Sequence, residues 1–471
     1  MSKVDGIVAE PFFARPVVGR REFVFGLGAF GLSLGAAAVD LAPQDKFKGK
    51  VEGRRLKIAS IGCGGMGRGA TESLISAGCD LVAVCDIDPS MFDHWEKKYP
   101  GIPKFVDYRE MLKVMGDKFE AVQVGTPDHT HAYISIDCMN AGKHVYVQKP
   151  LARTVEECEL MLKTSLRTRR VVQMGNQGHP GVWRYKSLRD AGAWGEIKAI
   201  YSWSDRPIWP QGMTSYAKSE PLPEKFAKNA WDCWCGPSAD HGYSPAYHRF
   251  KWRGWWDYGC GAIGDMAVHN ADPAFWTFEL GLPIKVKADT FGGGAVDVAY
   301  PKKSRIEMDF APNKWIPNGI KLVWTDGGVK PSVDEVPALK TLQKVDGNGL
   351  IVVGTKATSI AGSHAKRPSC IDGDKAAFDA ARAKGEKKAK YNHYREFVEA
   401  CLAGDIEMCG SKLSYAAPLT EALLIGCIAL RFPGEELAFD TKAMRFTNKP
   451  EANAFLKAPK RGEWDFSRLA K

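Results

Sequence analysis

No stretch of this chain interleaves basic and aromatic residues as a nucleic-acid surface requires. Lys and Arg number 65 against 55 Asp and Glu, a formal charge of +10, but they are spread along the chain. The densest run, KGEKKAK at 384–390, adjoins acidic residues and reads as a solvated surface. Twelve cysteines form no clear disulfide framework. Cys63, Cys79, Cys85, Cys138 and Cys158 lie in apolar or helical patterns, where cysteine packs as a small hydrophobe. The C-x-C of DCWCG at 232–236 has no second Cys or His pair at zinc-binding spacing. An apolar run from Phe23 to Ala38 is short for a membrane span, and there is no internal repeat. Nucleic-acid binding, a disulfide scaffold and a structural metal are therefore set aside.

What is present is a chain of 471 residues, too long for one ordinary core, with 45% hydrophobic and 25% charged residues. The N-terminus reads as an address. Arg20 and Arg21 precede a Gly-rich apolar run and then small residues, the layout of a twin-arginine signal. Residues 1–38 are assigned to that signal, with cleavage near Ala38 favoured over a retained anchor, and 39–53 to a linker. The expected location is the periplasm or another exported one. The export machinery is the expected partner, and that route carries folded proteins, often with cofactor in place.

From Leu56 apolar strands alternate with amphipathic helices. LKIASIG, DLVAVCD, FEAVQVGTP and KHVYVQKP read as strands, and ATESLISAG, YREMLKVMG and HAYISIDCMNAG as helices. That alternation predicts a parallel sheet with helices on both faces, an α/β doubly wound domain over residues 54–175. Beyond it, IKAIYSWSD, IKVKADTFG and SRIEMDFA alternate as strands with one solvated face do. YNHYREFVEACLAG and PLTEALLIGCIALRF read as helices, and residues 330–375 resist assignment. Residues 176–471 are taken as a second α/β domain.

Four stretches carry chemistry. Gly62, Gly64 and Gly67, with Gly65 and Met66 between them, make a G-x-G-x-x-G turn between a strand and a helix. Asp86 ends the next strand, where a carboxylate can hold ribose hydroxyls and would repel a 2′-phosphate. That order implies NAD in preference to NADP, although Arg68 leaves room for the latter. GTPDHTH at 125–131 sits at the ligand edge of the sheet; Thr126, Pro127 and His129 are expected to line the cofactor crevice. Asp128, His129 and His131 are of metal-ligating types, but a turn capping the next helix is preferred, so no metal is assigned. Gln148 and Lys149 end another parallel strand. Lys149 is either a loop charge or a crevice lysine, its pKa lowered beside nicotinamide, that binds and shares a substrate proton. Asp265 and His269 are four apart, on one face if their segment is helical. They read equally as a cap with a satisfied buried histidine, or as an orienting carboxylate with a proton acceptor.

These motifs together resemble the glucose-fructose oxidoreductase, inositol dehydrogenase and MocA (Gfo/Idh/MocA) family. The resemblance runs from about Leu56 to about Phe432. It rests on IGCGGMGRGA, CDIDP, TPDHTHAYISIDCMNAGKHVYVQKPLARTVEE, QMGNQGH, WRGWWDYGCGAIGDMAVHNADP and HYREFVEACLAG. The Trp-rich version looks like a branch common among exported proteins of glycan-feeding bacteria. The family implies a Rossmann domain, then an α/β domain with an open mixed, largely antiparallel sheet that commonly mediates homo-oligomers. It implies NAD or NADP chemistry on a sugar, cyclitol or glycoside, and tightly bound NAD is the form expected here. Its E-K-P lysine falls on Lys149, with a cis bond to Pro150, and its D-x-x-x-H pair on Asp265 and His269. Gln148 departs from the usual glutamate, which puts the tuning of Lys149 in question. Asn176, His179, Arg253 and Trp256 are expected around the sugar. Hydride transfer from a secondary alcohol is the leading expectation. Its rivals are a glycosidase that oxidises, eliminates, hydrates and reduces back with one bound NAD, and a non-catalytic sugar-binding protein.

Overall fold

A computed structural model describes residues 53–469. The signal (1–38) and nearly all of the linker lie outside the described residues.

Six short strands form the first sheet, buried except at the edge strand β3 and part of β2: β1 (Leu56–Ile61), β2 (Cys79–Cys85), β3 (Lys104–Phe105), β4 (Ala121–Val124), β5 (His144–Gln148) and β6 (Val172–Gly175). They run parallel in the order β3-β2-β1-β4-β5-β6. The order reverses between β1 and β4, which opens a crevice at their carboxyl ends. Helices α1 (Gly65–Ser76), α2 (Phe92–Lys98), α3 (Tyr108–Met115), α4 (Asp128–Asn140) and α5 (Val155–Thr168) cross between the strands. α5 starts on a reciprocal cap, with Thr154 accepting from Glu157 N–H and Glu157 returning the bond. Under the glycine turn, Ser60, Thr71 and Gln123 share a buried hydrogen-bond network that joins β1, α1 and β4.

The second sheet has nine strands: β7 (Ile197–Trp203), β8 (Lys285–Phe291), β9 (Lys303–Phe310), β10 (Ile320–Thr325), β11 (Gly349–Gly354), β12 (Ala357–Ala361), β13 (Ser369–Gly373), β14 (Glu436–Asp440) and β15 (Arg445–Phe446). Their order is β13-β12-β11-β7-β10-β9-β8-β14-β15. Only the β7–β10 pairing is parallel, so the expected mixed, largely antiparallel sheet is present. Residues 330–375, unreadable from pattern, supply β11 to β13. Part of the outer face is covered by the chain itself, since Val336, Leu339, Leu342 and Val345 pack on Tyr201, Trp203, Ile351 and Val353. The rest, from β8 to β10, carries charges such as Lys321 on Glu307.

The two domains are not consecutive pieces of chain. Helix α6 (Val182–Asp190) follows β6, and helix α7 (His393–Ala403), capped by Asn392, returns to the first sheet. Phe397, Val398, Ala400 and Cys401 complete a core with Leu56, Ile58, Ala70 and Leu74. A boundary at 175 therefore describes the first sheet but not everything that covers it. Helix α8 (Leu413–Ala429), apolar all round and buried over most of its length, lies between α5 and strands β8 and β9. Eleven of the fourteen tryptophans are buried, which fits their expected role as mostly core.

Candidate active site

The glycine turn is as tight as its sequence requires. Gly62 has φ +73°, and a Cβ there would lie 2.6 Å from Thr126 N; one on Gly67 would lie 1.8 Å from Gly62 O. Gly65, at φ +47°, faces open space, and α1 begins without a side-chain cap. Its first N–H groups are thus free to meet an anion. Beside the turn stands Asp86, whose carboxyl burial raises to about 6, with the backbone N–H groups of Asp88 and Gly64 opposing. Met66 is exposed at the turn.

Across the crevice, the Lys149–Pro150 peptide is cis, as the resemblance implies. Lys149 Nζ donates to Asp265 Oδ1 at 2.7 Å and to the Asp265 carbonyl at 2.8 Å. Arg253 Nε stands 3.5 Å from the same Oδ1. Burial would raise the Asp265 carboxyl, but Lys149 and then Arg253 outweigh it and hold it below its ordinary value. The segment from Ile263 to Ala267 is a π-helical turn leading into Val268–Asn270, a feature that recurs at functional sites.

His269 is buried, and its Nδ1 lies 2.8 Å from Asn176 Oδ1. Asn176 Nδ2 donates to Val268 O at 3.0 Å. That bond fixes the amide's orientation, so its oxygen faces the ring and Nδ1 carries the proton. Nε2 is left with its lone pair outward. Burial, reinforced by Lys149, holds the His269 pKa well below its usual value. The ring is therefore neutral and can accept a proton.

Several expected contacts fall elsewhere. Asn176 is wholly buried and orients His269 rather than lining a sugar pocket. His179 is also buried, held by both Asp272 oxygens at 3.0 Å. Trp256 is shut in the core between Tyr300 and Arg431. Arg253 alone of those four reaches the Lys149–Asp265 pair. In the GTPDHTH stretch, the two ring nitrogens of His129 face the backbone carbonyls of Tyr258 and Trp234, to one of which its single N–H donates, and burial lowers its pKa to about 3. It fastens the Trp-rich segment to the sheet edge instead of facing a nucleotide. His131 likewise sits between the carbonyls of Pro150 and Thr126, with one N–H to donate. Asp128 is not a helix cap: Pro127 takes that position, and the carboxylate accepts Cys260 N–H from the second domain. Thr126 Oγ1 accepts from Thr130. A second fastening lies next to Asp86, where Lys225 and Arg249 both reach the buried Asp88 carboxylate at 2.9 Å.

Comparison with known proteins fits this geometry. A sequence model described as an oxidoreductase family with an NAD-binding Rossmann fold matches residues 56–176. Its companion, the family's C-terminal α/β domain, matches 198–312. The chain belongs to the Gfo/Idh/MocA oxidoreductase family. Among curated proteins, a 1-carboxy-3-chloro-3,4-dihydroxycyclohexa-1,5-diene dehydrogenase of Comamonas testosteroni is 34% identical over 125 residues, 26% of this chain and 31% of that protein. A glycosyl hydrolase family 109 protein of Shewanella sp. (strain ANA-3) is 32% identical over 165 residues, 32% of this chain and 36% of that protein. The chain thus spans about a third of the length of these relatives. Among solved structures, the WlbA dehydrogenase of Bordetella pertussis, in complex with NADH and UDP-GlcNAcA, shares the fold at TM-score 0.56. It is 18% identical and covers 82% of this chain and 99% of its own. An inositol dehydrogenase homologue of Azotobacter vinelandii, with NADH and myo-inositol, aligns at 0.52 with 16% identity, covering 82% and 98%.

In this Gfo/Idh/MocA chain the residues present suit NAD. The uncapped start of α1 and the glycine turn accept a pyrophosphate, and Asp86 can accept ribose hydroxyls. Gln148 is buried with Nε2 unpartnered, while its Oε1 meets Gln177 at 3.5 Å. An orphaned donor at the end of β5 is a group waiting for an acceptor. Sequence reasoning missed one residue here, His364, whose ring stacks on His269 with centroids 3.9 Å apart. It lies in the stretch 330–375, where only its place in a short Gly-Ser-His-Ala turn marked it.

Proposed function

We propose that this protein oxidises a secondary alcohol of a sugar, cyclitol or sugar derivative with NAD. The observation that carries the reading is the bond chain from Val268 O through Asn176 to His269, which leaves a neutral Nε2 as proton acceptor beside Lys149. NAD, when bound, supplies the hydride acceptor. Lys149 donates a hydrogen bond to the reacting hydroxyl, and His269 takes its proton as the carbonyl forms. Asp265 and Arg253 hold the lysine in place. The assembled cluster counts against a purely sugar-binding role.

A second reading, glycoside cleavage by a redox cycle on one NAD, draws support from the family 109 relatives and from an α-N-acetylgalactosaminidase of Shewanella oneidensis, 32% identical over 165 residues. Incubation of purified protein with free sugars and with glycosides separates the two. NADH accumulating with added NAD supports the dehydrogenase, and aglycone release without net NADH supports the glycosidase. Neither signal, with an empty nucleotide site, would reject both.

Export through the Arg20–Arg21 signal is part of the same proposal, checked by fractionating cells carrying the native chain and an Arg20→Lys, Arg21→Lys variant. Self-association through the second sheet is proposed for its uncovered part, β8 to β10, because residues 336–345 occupy the rest. Light scattering of an Arg305→Glu, Lys321→Glu variant tests it.

A further inference from the structure

One edge of the second sheet lies beside the Lys149–Asp265 pair. Strands β7 and β10 are parallel and β9 runs against them. Asp205 after β7, Gly327 after β10 and Lys302 before β9 therefore meet at that edge. Asn270, next to His269, ties the edge to the site by donating to Trp203 O at 2.8 Å. There Asp205, Trp209, Gln211, Lys302 and Gly327 line an open groove of about 330 Å³. Arg253 connects the groove to the site: its guanidinium carbon is 5.7 Å from the Trp209 ring centroid, and its Nε faces Asp265. Arg206, beside the groove, is near enough for its charge to act on Asp265 and on His364.

Lys302 is built into this groove without being satisfied in it. Its stem rests on two glycines. A Cβ on Gly212 would lie 2.9 Å from Lys302 Cγ, and one on Gly292 would lie 2.8 Å from Lys302 Cβ. Gly212 N–H donates to Tyr300 O at 2.7 Å, and Gln211 Nε2 to Pro301 O at 2.6 Å, which fixes the chain around that contact. A lysine held by its stem has less freedom to lose when its ammonium meets a ligand. Asp205, the carboxylate in the groove wall, is taken: its Oδ1 accepts from Arg206 Nη1 and Asn348 Nδ2, both at 2.9 Å. Asp326, behind Gly327, is buried and spent on Ser304 and Trp324. Among the described residues no acidic group pairs with Lys302. Around the mouth, Lys149, Arg206, Arg253, Lys302 and Lys366 stand against Asp205 and Asp265. A neutral sugar gains nothing from that surplus of positive charge, and an anionic one does.

We propose that the groove binds an anionic substituent of the substrate, a carboxylate or a sulfate ester, on Lys302, so that the sugar oxidised between Lys149 and His269 is an acidic one. This rests on the reading that the site oxidises a sugar alcohol. Lys302 touches only the substituent, remote from the reacting carbon, and sets which sugar is held.

The test is calorimetric titration of protein loaded with NADH, which prevents turnover. The ligands are glucuronate, galacturonate and glucose 6-sulfate, each against a neutral counterpart: the methyl ester of either uronate, and glucose. At least one acid is expected to bind about tenfold or more tightly than its counterpart, by a margin that shrinks as salt is raised. Whether a uronate or the sulfate leads identifies the substituent. In Lys302→Gln the ratio of acid to counterpart should collapse to near one, and in Lys302→Arg it should persist. The proposal is overturned if no acid binds more tightly than its neutral counterpart, or if Lys302→Gln leaves the ratio unchanged. Incubation of the same sugars with protein and added NAD separates this from the oxidation reading. NADH formed equally well from neutral sugars, with no preference for the acids, keeps the oxidation and rejects the groove. A Lys302-dependent preference with no NADH from the preferred acid keeps the groove and rejects the oxidation.

Discussion

Replacing Asn176 by Leu should slow the enzyme without touching substrate or nucleotide. Leu has the branched shape of Asn, though it is larger, but can neither accept from His269 Nδ1–H nor donate to Val268 O, so the bonds of 2.8 and 3.0 Å both vanish. Two buried polar groups are left unpaired, each costing about 1–3 kcal/mol. Part of that cost appears as stability and part as a lost preference for the tautomer with Nε2 free. If about 1.4–2.8 kcal/mol falls on the barrier, kcat drops roughly ten- to a hundredfold. KM should hold, and nucleotide affinity, read by quenching of tryptophan fluorescence, should hold too. Asn176→Asp is the counterpart. A carboxylate facing Nδ1–H favours the imidazolium, so the acid limb of the pH–rate profile moves to higher pH. A folded Leu variant with kcat within about twofold of wild type would refute the tautomer argument.

Other outcomes follow from the same contacts. Lys149→Met should abolish turnover and destabilise the fold by about 3 kcal/mol, because it strips the half-buried Asp265 carboxylate of its nearest cation; adding Asp265→Asn should restore most of the stability, read by urea unfolding, and none of the activity. Burial raises the Glu396 carboxyl from 4.5 to about 7. Its stabilising protonation is complete below the unfolded pKa and lost as pH rises through about 7, so Glu396→Gln should flatten the fall in Tm over that window. Asp88→Asn removes the charge that Lys225 and Arg249 share, and stopped-flow should then show bound nucleotide leaving about three- to tenfold faster.

Much of this could be read from the sequence because it is local. Apolar runs of strand length bounded by glycines gave away the parallel sheet, and chain order alone brought Lys149 and the Gly62–Gly67 turn to the same edge. Asp265 and His269 were findable because four residues separate them. Other assignments turned on partners far away in the chain. Asn176 meets His269 across 93 residues, and no spacing rule distinguishes an amide that orients a histidine from one that binds a sugar. His129 was placed in the right crevice but facing the wrong way, since its direction depends on carbonyls of Trp234 and Tyr258 in a segment with little periodicity. Strands β11 to β13 escaped because continuous apolar stretches such as GLIVVG lack the alternation that marks a half-solvated strand. Trp256 illustrates the opposite error: an aromatic rich enough in surface for a pyranose is, in this fold, packing.

The return of α7 to the first sheet has a consequence for synthesis. The nucleotide-binding domain closes one side of its core with Phe397 to Met408, residues made when six-sevenths of the chain is already out. During translation the strands that will cradle the dinucleotide therefore wait, with Leu56, Ile58 and Leu74 uncovered, for a helix encoded after the whole second sheet up to β13. A ribosome stalled before residue 393 would hold a glycine turn with an open apolar flank, and a C-terminal truncation would damage the N-terminal half first.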